Sequence, residues 1–191
     1  KTDLKAMLKK LSAGSAYRKM IAASEEGKPI VFASAAVPVE VFFAMDLYPI
    51  FPESLAAISS GIKKADEFFQ IAKERGYSPS ICSYTRCGLG IRWLSKCAFG
   101  PIPEPDIYMG ETNLCGLHVT WWRYLEDYYK KPTFFLDHPA LSGEVEEYHI
   151  QFYMDQIKAM VKFLEESTGT KLDYDRLVEA VKFSDVAGMK K

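Results

Sequence analysis

The stretch KPIVFASAAVPVEVFFAMDLYPIFP (28–52) decides the fold class. Its first part, KPIVFAS (28–34), is a short apolar, β-branched run introduced by Gly27 and Pro29, which reads as a strand. Pro38 follows where a helix can begin, since proline suits the first helical turn, and PVEVFFAMD carries that helix. YPIFP (48–52) is a second short strand, so the order is strand, helix, strand, helix once 55–76 (LAAISSGIKKADEFFQIAKERG) is added, with Gly76 as its C-cap. Residues 81–97 (ICSYTRCGLGIRWLSKC) are read as a helix despite Gly88 and Gly90. PIPEPDIYMGET then gives a Pro-rich loop and a strand around 107–109, and LHVTWWRYLEDYYK a helix at about 117–130. PTFFLDHP (132–139) is an almost wholly apolar strand ending in Asp137, the pattern of a parallel strand covered on both faces.

Both ends of the chain read as helical. Residues 3–26 place Leu4, Met7, Leu8, Leu11, Tyr17, Met20 and Ile21 at three- and four-residue spacings, an amphipathic helix broken near Gly14. Residues 143–168 and 173–186 are two long amphipathic helices, the second capped by Asp173. Val161, Leu164, Leu177 and Val181 form an apolar face on them that is expected to meet a partner. The expected fold is α/β: an open, mostly parallel sheet flanked by helices, a Rossmann- or flavodoxin-like lobe. Its expected parts are a helical segment (1–27), the lobe (28–140) and a helical extension (141–191).

Lys and Arg number 24 against 25 Asp and Glu, which removes the electrostatic argument for nucleic acid. Hydrophobic residues at 48% supply a sizeable core. The longest apolar stretch, IVFASAAVPV (30–39), stops at Glu40, well short of the ~18–20 residues of a membrane span. The first residues are charged throughout and lack the apolar centre of a secretory signal, so the expectation is a cytoplasmic protein without membrane contact.

All four cysteines, Cys82, Cys87, Cys97 and Cys115, fall between positions 82 and 115. A chain of this length does not need disulfide staples, so they are expected as thiols or thiolates. Zinc spacing is absent: only Cys82 and Cys87 are close, and His118, His138 and His149 show no ligand pattern. The closely spaced cysteine run of a ferredoxin is missing too, as are Walker A, G-x-S-x-G and G-x-G-x-x-G motifs. Buried packing thiols and a cluster held by cysteines from separate loops both remain open on the residues alone. In an open α/β sheet, ligands bind at the carboxyl ends of the strands. The loops there carry Ser34, Glu53, the run from Thr112 to Cys115, and Asp137 with His138. Cys82 precedes a helix whose dipole favours its thiolate.

Four segments, PVEVFFAMDLYPIFPESLAA (38–57), GYSPSICSYTRCGLG (76–90), PEPDIYMGETNLCGLHVTWWRYLEDYYKKPTFFLDHP (103–139) and TGTKLDYDRLVEAV (168–181), resemble the 2-hydroxyacyl-CoA dehydratases and the related benzoyl-CoA reductases. They occur in the family's order. The resemblance implies that Cys82 and Cys115 ligate a [4Fe-4S] cluster, with Cys87 a less certain ligand. Extra cysteines, Cys87 and Cys97, are similar to those of relatives with a larger double-cubane cluster. Family subunits comprise two such lobes, the second bringing a further cysteine, so this chain looks like a first lobe that needs a homologous second subunit or second lobe.

The implied chemistry is that of a lyase. An ATP-hydrolysing iron–sulfur activator protein injects one electron, the cluster passes it to an acyl-CoA thioester, and the resulting ketyl radical expels the hydroxyl group under anaerobic conditions. In the reductase branch the radical is reduced further. Glu53, in FPES, matches a substrate-side base, or else it is a carboxylate that stabilises a helix N-terminus. Ser34 is a candidate contact for the hydroxyl or thioester oxygen, or simply a turn residue. Trp121 and Trp122 are read as core and interface packing. The alternatives are a subunit of a benzoyl-CoA reductase, a double-cubane reductase and, outside catalysis, a lone lobe used for subunit assembly.

Overall fold

The computed structural model describes residues 13–189. Most of the apolar positions of the first half of the expected 3–26 helix lie outside the described residues. Along the chain run α1 (Ala13–Glu25), β1 (Ile30–Ala33), α2 (Val39–Ala44), β2 (Tyr48–Ile50), α3 (Pro52–Gly61), α4 (Asp66–Glu74) and α5 (Ser83–Leu94). Then come the two-residue strands β3 (Lys96–Cys97) and β4 (Gly100–Pro101), followed by β5 (Ile107–Glu111), α6 (Gly116–Tyr129), β6 (Thr133–Leu136), α7 (Glu147–Thr168) and α8 (Tyr174–Met189).

β1, β2, β5 and β6 make one parallel sheet in the order β2-β1-β5-β6, an open α/β architecture as expected. Side chains alternate across a strand, so β1 feeds two cores. Ile30 and Phe32 join Tyr108, Trp121 and Trp122 on the face covered by α1 and α3 to α6. Val31 and Ala33 join Ile107, Met109, Leu136, Met160 and Leu164 on the face covered by α2, α7 and α8. The order of strands reverses between β1 and β5, and it is at such a switch point that open α/β sheets bind ligands.

Two expected helices are interrupted. The 55–76 segment starts earlier, at Pro52, and splits between α3 and α4, where Lys63 takes a left-handed conformation with φ +58. The segment at 81–97 ends at Leu94, because Ser95 turns left-handed (φ 48) and Lys96–Cys97 pairs with Gly100–Pro101 in a small antiparallel hairpin. Glycine and asparagine are the usual residues for such turns, so a lysine and a serine give no sequence signal. Helical periodicity also misassigned one face. Leu164 is fully buried, and Val161 and Leu177 pack against the second core, so three of the four residues expected to meet a partner cover this lobe's own sheet. Only Val181 stays largely exposed.

α5 is pressed close to its neighbours. A Cβ on Gly90 would stand 2.4 Å from the Phe68 carbonyl oxygen, and one on Gly88 2.2 Å from Trp121. Buried Arg92 ties the same helix to β5, its Nε donating to the Tyr108 hydroxyl at 2.6 Å and its guanidinium lying 3.8 Å from the Tyr129 ring centre. These contacts fix the helix that begins just after Cys82. Among the described residues no helix is long and apolar enough to cross a membrane.

Candidate functional site

Glu53 is the second residue of α3, behind Pro52, in the turn where the helix dipole favours a carboxylate. Its side chain does more than face the dipole. Oε1 lies 3.1 Å from Nε2 of His118 on α6, and Trp122, one turn further along α6, donates its indole N–H to that same nitrogen at 2.7 Å. An indole N–H only donates, so Nε2 is an acceptor and the ring proton of neutral His118 sits on Nδ1. That Nδ1 is buried without a partner, as is Glu53 Oε2. Buried polar groups are normally paired, so two orphans in one cluster mark a place that a further group completes.

Cys115 is joined to this cluster. It is the N-cap of α6, and its sulfur accepts from the backbone N–H of His118 at 3.4 Å. Cys82 is likewise the N-cap residue of α5. Both thiols are exposed, and each stands at a helix N-terminus. Cys87 differs. It is buried in the core, where burial pushes its thiol up to about 12 against the pull of Arg86. Burial also raises Cys97. These two are packed into the core, whereas Cys82 and Cys115 are open to solvent. Among the described residues no group of three or more His, Cys, Asp or Glu side chains is arranged to hold a metal ion. Cys82 and Cys115 are the two thiols open to a further group.

Ser34 lies elsewhere, at the switch point itself. It is fully buried, and its hydroxyl donates to Glu111 Oε1 at 2.8 Å. Glu111, the last residue of β5, is also fully buried, and its Oε2 lies 3.3 Å from Nε2 of His138. Neither of those two atoms completes a hydrogen bond. The structure thus separates the candidate residues into two centres at one sheet edge: Glu53 with His118, Trp122 and Cys115, and Ser34 with Glu111 and His138.

His118 and Glu111 are the residues the sequence reading missed. Glu111 ends an otherwise apolar strand, IYMGE, at the carboxyl edge, and that position was its signal. His118 stands three residues after Cys115 and four before Trp122, spacings that bring all three together once 116–129 is helical.

The family model described as 2-hydroxyglutaryl-CoA dehydratase, D-component, matches residues 34–188. The chain is 28% identical over 169 residues to the (R)-2-hydroxyisocaproyl-CoA dehydratase alpha subunit of Clostridioides difficile, covering 88% of this chain and 41% of that one. It is 25% identical over 163 residues to the (R)-phenyllactyl-CoA dehydratase alpha subunit of Clostridium sporogenes, covering 85% and 40%. With a benzoyl-CoA reductase subunit of Thauera aromatica the identity is 27% over 183 residues, covering 92% and 42%. The chain spans about two fifths of the length of these relatives.

Proposed function

The chain belongs to the 2-hydroxyglutaryl-CoA dehydratase D-component family, and from that membership we propose that it is the α/β lobe of an enzyme subunit that removes water from a 2-hydroxyacyl-CoA. In this reading Cys82 and Cys115 supply part of the ligand set of an iron–sulfur cluster, and a homologous lobe or subunit supplies the rest. An ATP-hydrolysing iron–sulfur activator delivers the electron. Loss of water is redox-neutral, so the electron is returned at the end of each turnover.

The observation that carries the proposal is His118. Its backbone N–H donates to the Cys115 sulfur and its ring nitrogen lies 3.1 Å from Glu53, so one residue stands between the candidate ligand and the candidate base. A bound cluster supplies one-electron chemistry at low potential. The His118 backbone N–H donates to the Cys115 sulfur and so orients it. Glu53 accepts a proton through Oε2, the oxygen that has no partner within the protein. Trp121 and Trp122, both buried, close the inner side of this centre against water. Ser34 acts through Glu111, because its hydroxyl proton is already engaged there.

Ring reduction of an aromatic acyl-CoA is the second reading, favoured by the match to the benzoyl-CoA reductase of Thauera aromatica over 92% of this chain. The test is an anaerobic preparation of the assembly that contains this chain. Cys82→Ser and Cys115→Ser are each expected to remove most of the cluster iron, and the wild type, given activator, ATP and reductant, to convert a 2-hydroxyacyl-CoA to the unsaturated product. Full iron content in both variants would overturn the ligand assignment. Reduction of benzoyl-CoA without dehydration would move the protein to the second reading.

A further inference from the structure

Between α1, α3 and the edge strand β2 lies a cavity of about 330 Å³ with almost wholly apolar walls. α1 lines it with Ala13, Ala16, Tyr17 and Met20, three or four residues apart on one helix face. α3 contributes Leu55 and Ile58, and β2 contributes Pro49 and Ile50. The first two side chains that α1 offers to these neighbours are alanines, so its first turns leave the gap unfilled. Phe43 (54% exposed) and Phe99 (37%) also line the cavity and stay open to water. Apolar walls of that kind gain when an apolar group covers them.

The chain carries twelve residues ahead of Ala13, KTDLKAMLKKLS, which lie outside the described residues. Leu4, Met7, Leu8 and Leu11 recur at three- and four-residue spacings, and the lysines of the segment fall away from that stripe. The phase of the stripe decides where it belongs. At about 100° per residue, α1 continued straight would bring Thr2, Ala6 and Lys9 into line with its cavity face and turn the apolar stripe roughly 180° away from it. Four apolar side chains would then face water beside an open apolar cavity. A turn between the two segments removes both costs, and Ser12, a residue type favoured at a helix N-cap, stands directly before α1. The lengths agree as well, since Leu4 to Leu11 and Ala13 to Met20 each cover about 10 Å of helix.

We propose that residues 1–12 fold back along α1 as an amphipathic helix and close this cavity with Leu4, Met7, Leu8 and Leu11, leaving the lysines in solvent. A segment tethered at the cavity wall docks at the cost of one short turn, whereas a separate molecule would also lose its translational freedom. The docked segment packs against α3, the helix whose first turn carries Glu53.

The experiment uses the full chain with ¹³C-labelled Met, Ile and Leu methyl groups. Methyl NOEs from Met7 to Met20 and Ile58 are expected, at an intensity independent of protein concentration. In a straight helix Met7 and Met20 stand about 20 Å apart, out of reach of an NOE, so absence of these cross-peaks would overturn the fold-back. Cross-peaks that vanish on dilution would give the cavity to a second copy and overturn it equally. A chain without them whose Met7 and Leu8 methyls shift on addition of phosphatidylglycerol vesicles would assign the basic, apolar segment to a lipid surface instead. A second measurement uses anilinonaphthalene sulfonate, a dye that fluoresces in open apolar cavities. Changing Leu4, Met7, Leu8 and Leu11 together to Gln should raise its fluorescence several-fold, and adding Ala16→Phe, which fills the cavity from α1, should remove the rise. Equal fluorescence of the wild type and the fourfold variant would mean that the segment covers nothing, and the proposal would fall.

Discussion

Gly90→Ala measures how tightly the helix behind Cys82 is held. In an exposed helix this change stabilises by about 1 kcal/mol, because alanine has the higher helix propensity. In α5 the new Cβ would fall 2.4 Å from the Phe68 carbonyl oxygen, 2.7 Å from its Cα and 2.8 Å from its Cβ. Ordinary contact lies about an ångström further out, and two of those three atoms are backbone, so relief requires α4 and α5 to separate. Overpacking costs about 1–3 kcal/mol, towards the upper end where backbone must move. With the propensity gain set against it, a net loss of about 2 kcal/mol is expected in urea unfolding. Gly88→Ala meets an obstacle of another kind, the Trp121 indole at 2.2 Å. Adding Trp121→Phe should therefore recover part of its loss, and no recovery of that kind exists for Gly90→Ala. A Gly90→Ala protein as stable as the wild type would refute the packing of α5 on α4 and, with it, the fixed placement of Cys82.

Glu53→Gln should keep iron content and the unfolding midpoint while lowering turnover about 10²–10⁴-fold, the range for a lost general base; an undiminished rate beside an active wild type would remove Glu53 from the chemistry. Trp122→Phe deletes a donor and part of a ring at a fully buried position, for a loss of about 2–4 kcal/mol. In ¹⁵N spectra of that variant the His118 proton should move from Nδ1 to Nε2, where it can be donated to Glu53; an unchanged tautomer would contradict the assignment of Trp122 as its cause. High pH should destabilise the fold, since burial raises Cys87 from 9.0 and Tyr129 from 10.0, each to about 12. The folded state favours their neutral forms, so this stabilisation is complete below the unfolded values and is lost as pH climbs from about 9 towards 12. A urea midpoint constant from pH 8 to 11 would argue against that burial.

The four strands of the sheet were legible because each is a short apolar run bounded by Pro, Gly or a charged residue, and the β1–α2–β2 order already implied a parallel sheet. The strand–helix boundaries were less legible: the second strand was carried to Pro52 and its helix begun at 55, whereas α3 starts at Pro52 and takes Glu53 into its first turn, and Cys115, placed in a loop ahead of a helix at about 117, caps one that starts at Gly116. The breaks at Lys63 and Ser95 were hidden, since left-handed backbone at a lysine or serine is imposed by tertiary packing and leaves no residue signature. The candidate residues were found as strand-end polar groups, yet their grouping was not. Ser34 and Glu53 both follow strands of the same sheet, but which face each one turns to depends on the side chains it meets, and those lie 77 and 65 residues away.

That separation sets the two centres on opposite faces of the sheet. Glu53, His118 and Cys115 belong to elements on the α3–α6 face, whereas Glu111 and His138 meet Tyr153 of α7 on the opposite face. Ser34 lies between them at the switch point, fully buried, and its one hydroxyl proton is committed to Glu111. It thereby links the end of β1 to the α7-side centre. One hydrogen bond beneath the sheet edge, from Ser34 to Glu111, thus ties the end of β1 to the end of β5 beside His138.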